Sequence, residues 1–298
     1  MMELDTIPET RVLVDEILHS IFFLGNLRDP TFSPQTFLSD DILTELKDRY
    51  PRPFTHYSTQ LPRRSPFSCV LDMFVHLCGK EEEDKIKDSL RELFNEMGQT
   101  CEKRPLSSST ICISQTSDPG RYYGVSMSTS GRNPGQIMVA ASCLKSWHSY
   151  VAGAVMTFYP DIQNDFDGTI KLPERVRCQT FSLSNGREMP PCGACGNLFG
   201  LGRVEDKSWA YGNCAEVESV SNLIKNVETV REEARPKSEK CTEEKREMAE
   251  ERVKKKLITL LKLVENTKLA KLAKQLQCGK IKFTDLFYDP YISERRSD

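Results

Sequence analysis

The sequence predicts an α+β or α/β fold, with a helical amino-terminal region, a central mixed β-sheet carrying helices, and a helical carboxy-terminal tail. Three observations carry this expectation. Apolar residues recur at helical spacing before residue 100. Segments rich in Val, Ile, Thr and aromatics, separated by turn signals, fill residues 106–183. After residue 231 the composition turns to charge and then to leucines at helical spacing. These shifts divide the 298 residues into segments 1–105, 106–230 and 231–298.

In the first segment Leu13, Ile17, Ile21 and Phe22 form a helical stripe, and Ser39 stands as a capping residue before DDILTELKDRY. FSCVLDMFVHLCG is apolar all round and is expected to be buried, while Ile86, Leu90, Leu93 and Phe94 mark a further helix. In the second segment STICISQT, RYYGVSMSTSG, GQIMVAASCL, SYVAGAVMTFY and RVRCQTFSL read as strands. They are broken by turn signals: DPG at 118–120, GRNPG at 131–135 and PDIQND at 160–165. SWAYG is one more short strand candidate. A short helix is expected from Pro191 to Gly200 or Gly202, and a longer one from Asn213 to about Val230. In the third segment residues 231–256 are almost all charge. They are expected to be the most mobile part of the chain, a linker running into a solvated helix. Leu257, Leu260, Leu261, Val264, Leu272 and Leu276 then define an amphipathic helix whose other face carries Lys262, Lys268, Lys271 and Lys274.

A hydrophobic fraction of 38% suffices for a core, and the net charge of −2 gives the whole molecule no pull on nucleic acid or anionic lipid. The basic carboxy-terminal helix is the one place where nucleic acid could touch, although a solvated face docked on its own domain is the simpler reading. No apolar run approaches the roughly 18 residues of a membrane span, so no membrane partner is expected. MMELDTIPETRV lacks the basic start and apolar stretch of a secretory signal, which points to an intracellular, cytoplasmic or nuclear protein. In that setting the eleven cysteines are buried thiols or metal ligands, not a disulfide framework.

Most of the chemistry is concentrated in PPCGACGNLFG and GNCAEVESVSNLIKNV. Pro191 suits a first helical turn. Cys192 and Cys195, three apart, face one side of that turn, where free N–H groups favour thiolate. Cys214 lies on the apolar stripe Cys214, Val217, Val220, Ile224 and Val227, again at a helix start. Glu216, two residues on, can border the same pocket without entering the metal shell. Three thiolates with an open fourth position match a catalytic zinc site, and four thiolates a closed structural one. Cys178 is the candidate fourth ligand of a closed site. Two further readings stay open: three buried thiols with no metal, and a redox CxxC that would need neither Cys214 nor Glu216.

Cys214-Ala215-Glu216 and Pro191-Cys192-Gly193-Ala194-Cys195 resemble the H/C-x-E and P-C-x-x-C motifs of the zinc-dependent cytidine deaminase-like superfamily, here in reversed chain order. The resemblance spans roughly residues 106–230 and implies a zinc domain there. It implies that Cys192, Cys195 and Cys214 hold Zn2+, that zinc lowers the pKa of a water, and that Glu216 is catalytic, carrying a proton from that water to departing ammonia. The implied activity is hydrolytic deamination of a nucleobase, nucleoside or nucleotide, free or in nucleic acid. The alternative is a non-catalytic relative that keeps zinc for stability and serves in protein interaction. QNDFDGTIKLPE resembles a calcium loop, but Gln163 replaces its first acid and a turn is the better reading. His19, His56, His76 and His148 lack partners at metal spacing and read as structural.

Overall fold

A computed structural model describes residues 8–28, 31–100, 106–117, 120–129, 131–202, 208–264 and 267–291. Cys101 and most of the turn at 118–120 lie outside them. The amino-terminal segment is helical as expected: α1 (Pro8–Asn26), α2 (Pro34–Phe37), α3 (Asp40–Arg49), α4 (Pro51–His56), α5 (Pro66–Cys78) and α6 (Glu83–Thr100). Then come β1 (Thr110–Gln115), β2 (Arg121–Val125), α7 (Arg132–Lys145), α8 (Ser149–Met156), β3 (Arg177–Ser182) and β4 (Glu188–Met189). The chain closes with α9 (Gly193–Phe199), α10 (Ala215–Asn226), α11 (Glu228–Glu233), α12 (Glu243–Leu263), α13 (Thr267–Gln277) and a 3-10 turn, Phe283–Leu286.

The architecture is α+β. Among the described residues four strands form one sheet in the order β2-β1-β3-β4, antiparallel at every pairing. The turn-separated strands suggest antiparallel pairing, which holds, and the expected mixed sheet is corrected to an antiparallel one; two of the anticipated strands are helices. GQIMVAASCL lies in α7 and most of SYVAGAVMTFY in α8. Both are apolar on every side, so their composition does not separate buried strand from buried helix. Ala140, Ala141, Gly153 and Ala154 let neighbouring backbones approach, which suits helices in a close-packed interior. SWAYG is likewise a loop that turns at Tyr211–Gly212, not a strand.

Strand alternation gives the sheet two distinct faces. Ile111, Ile113, Tyr123 and Val125 pack with Phe67 and Leu71 of α5 and with Ile86, Leu90 and Phe94 of α6. The opposite face carries Cys112, Ser114, Gly124, Cys178 and Thr180, and it receives α10. Ser219 of α10 donates to the Ser114 hydroxyl at 2.7 Å, and Asn222 Nδ2 donates to the Tyr123 carbonyl at 3.0 Å. These bonds fix the helix across the middle of the sheet.

The expectation for 231–256 fails for most of its length. Glu243–Leu263 is a single helix with Ala249, Val253, Leu257, Leu260 and Leu261 buried, packed on α7 and α8. Arg246 donates to the Ser149 carbonyl at 2.6 Å, and Arg252 pairs with Asp165. The charges occupy the outer side of a docked helix. The largest buried cluster runs from Phe23 to Phe287, so all three sequence segments contribute to one core.

Candidate metal centre

Two helix starts build the site. Cys192 is the N-cap of α9, which therefore begins two residues later than Pro191, and Gly200 in the left-handed region (φ 67°) ends it. Cys195 sits in the first turn, where Gly196 N–H bonds back to the Cys192 carbonyl at 3.0 Å. Cys214 is the N-cap of α10, one residue later than the expected Asn213 cap, and α10 ends at Asn226 with α11 continuing through Glu233. The intervening chain returns so that Cys192 Sγ lies 3.8 Å from Cys195 Sγ and 3.4 Å from Cys214 Sγ. Sulfurs sharing one tetrahedral zinc at about 2.3 Å each stand about 3.8 Å apart. All three lie within 4.8 Å of one another, and they are the one such group of three among the described residues. The three cysteines could hold a metal ion. The juxtaposition expected from the sequence is therefore present.

The charge state of the sulfurs fits a cation. The thiols of Cys195 and Cys214, then the N–H groups of Cys195 and Trp209, hold the Cys192 sulfur far below the usual thiol range. Cys195 and Cys214 are pushed up, first by the crowded Cys192 sulfur. Three sulfurs this close suit a divalent ion, which binds them as thiolates and displaces their protons.

Cys178 does not join the group. Its thiol lies 3.6 Å from Cys112 Sγ and receives the Ser114 hydroxyl at 3.6 Å. Glu216, in the first turn of α10, is 5% exposed. Burial raises its carboxyl above the usual range, and the Cys192 sulfur adds to the shift. The carboxyl faces Cys195 and the hydroxyl of Thr180 on β3. Thr180 is itself buried, and its hydroxyl completes no hydrogen bond among the described residues. An acid of this kind, held beside the sulfurs and away from bulk water, is suited to moving one proton.

Glu218 corrects a further expectation. It reads from sequence as an ordinary first-turn charge, yet it accepts the Ser68 hydroxyl and the Val125 N–H, the latter at 2.9 Å, and burial raises its carboxyl. It lines a small polar cavity of about 60 Å³ together with Cys214, Arg64, Trp147, Asn222 and Lys225. Arg64 is held there by Glu16 at 2.9 Å and by Asp72. The sequence carries no local signal for this cavity, since α5, α7 and α10 meet there from distant parts of the chain. The alternation of Cys178 and Thr180 along β3 is the signal that could have placed Thr180 on the α10 face.

His148 is the N-cap of α8, its Nδ1 accepting Tyr150 N–H at 3.2 Å, and not a strand-start residue. In the calcium-like loop Asp165 binds Arg252 and Asp167 closes a turn onto Thr169 N–H at 3.1 Å. Comparison with protein-family models, curated proteins and solved structures finds no match to this chain.

Proposed function

We propose that the centre is a zinc site for hydrolytic deamination of a nucleobase, nucleoside or nucleotide. The observation that carries the reading is Glu216: a buried carboxyl, two residues after Cys214, facing the sulfur cluster but outside the ligand set. Zn2+ held by Cys192, Cys195 and Cys214 supplies Lewis acidity that makes water a nucleophile near neutral pH. Glu216 accepts the proton of the attacking water and returns it to the departing amino group, so that amine and water become carbonyl and ammonia. Its raised proton affinity suits a group that must both take and give a proton. The small cavity beside Cys214, with Trp147 and the amide of Asn222 in its wall, brings polar groups to one edge of the centre. That Cys178 is engaged with Cys112 and Ser114 supports an open fourth position over a closed four-cysteine site.

The test is ammonia release from a panel of cytosine, adenine and guanine compounds, as bases, nucleosides, nucleotides and oligonucleotides. Glu216→Gln is expected to keep zinc and fold but to lose at least about a hundredfold in rate, as expected for a general acid–base group. Cys214→Ser is expected to lose zinc. Undiminished ammonia release by Glu216→Gln would refute the role. A zinc-loaded wild type inert toward the whole panel would favour the interaction module stabilised by zinc.

A further inference from the structure

The apolar half of the carboxy-terminal helical hairpin is consumed inside the molecule. Leu257, Leu260 and Leu261 of α12 and Leu269, Leu272 and Leu276 of α13 are all buried. The first half of α12 also exposes Glu243, Glu244, Glu247 and Glu251, but beyond Lys254 what remains outside is mostly positive charge. From Lys254 to Lys282 the chain holds nine lysines against one acidic residue, Glu265, in a protein of net charge −2. Lys255, Lys271, Lys274, Lys280 and Lys282 are exposed and make no ion pair among the described residues. Several basic residues elsewhere are neutralised, as Arg64 is by Glu16 and Asp72, and Arg121 by Glu81 and Glu83.

We propose that the exposed lysine face of α12 and α13 binds the phosphate backbone of a nucleic acid without reading its sequence. Unpaired ammonium groups in water attract a polyanion mainly by releasing its condensed counterions. Lysine offers point charges on flexible stems, which suit phosphates and do not present the planar fork that reads base edges. A membrane surface is the weaker match. Interfacial helices bind by sinking an apolar face, and here the leucine faces are already packed against each other. The inference stands on this surface alone and does not depend on the metal centre.

The experiment measures binding of the full chain as purified to fluorescent single- and double-stranded oligonucleotides of about 20 nucleotides, longer than a typical ~4–16 nucleotide footprint. Affinity is followed from about 50 to 200 mM salt. Wild type should bind with a steep salt dependence. The triple variant Lys255→Gln, Lys271→Gln, Lys274→Gln should lose affinity about tenfold or more, and its log–log salt slope should shrink by about 2 for single strands. The same positions changed to Arg should retain binding. Circular dichroism and zinc content unchanged in the glutamine variant establish that it folds. Absence of oligonucleotide binding, or equal affinity and slope in wild type and glutamine variant, would overturn the proposal. So would binding to phosphatidylserine vesicles in place of oligonucleotides.

Discussion

At the residue scale the centre depends on positions that hold α10 as much as on its ligands. Gly124 lies beneath the start of α10. A Cβ there would stand 2.2 Å from Ser219 N and 2.6 Å from the Ala215 carbonyl oxygen, both rigid backbone atoms. Gly124→Ala must therefore lift the helix that carries Cys214 and Glu216. The expected cost is at least about 1–3 kcal/mol, as for overpacked cores, together with weakened metal retention. Denaturant unfolding and metal analysis after dialysis check both, and a variant as stable and as metal-loaded as wild type would show that α10 is not seated as described. The grouping of Cys192, Cys195 and Cys214 with Glu216 nearby was legible in the sequence because the CxxC and CxE spacings both fall at helix starts. Thr180 and Glu218 were not. Strand alternation puts Thr180 on the α10 face only once β3 is seated in the sheet, and the contact of Glu218 with α5 joins distant parts of the chain.

At the element scale, legibility followed the width of the apolar stripe. α6 was readable because Ile86, Leu90 and Phe94 stand out against charge on the other face. α7 and α8 were not, because an element buried on all sides loses the periodicity that separates helix from strand. α12 failed for the opposite reason: in its charged half only Ala249 and Val253 mark the buried side. The docking of α12 has a direct consequence. Leu257 is 0% exposed, so Leu257→Ala should destabilise the protein by about 2–5 kcal/mol. A solvated helix at the end of a linker would show almost no change, and equilibrium unfolding in urea separates the two outcomes.

At the scale of the whole molecule, the segment Leu286–Tyr288 is clasped to Leu61 and to α1. Phe287 bridges to Leu61, with Leu61 N–H to the Leu286 carbonyl and Tyr288 N–H to the Leu61 carbonyl, both at 2.8 Å. Tyr288 stacks on His19 at 3.8 Å and donates its hydroxyl to Asp15. Burial pulls His19 down to about 3 from 6.5, and burial pushes Asp15 up to about 6 from 3.8. The signs oppose. The His19 contribution to stability is complete above its unfolded pKa and is lost as pH falls towards 3. The Asp15 contribution is complete below its unfolded pKa and is lost as pH rises through about 6. Between about pH 4 and 6 the two slopes offset each other in the wild type. Relative to wild type, Asp15→Asn should lose more stability on acidification across this window, and His19→Gln should lose less. Urea unfolding at several pH values measures the slopes, and parallel slopes in the two variants would contradict the clasp.

The central claim is a three-sulfur metal centre with an open position beside a buried carboxyl. Zinc X-ray absorption on the purified full chain tests it most directly. Zinc with three sulfurs at about 2.3 Å and one oxygen or nitrogen at about 2.0 Å is the expected result. Four sulfurs around the metal, or a folded protein that holds no metal, would contradict it.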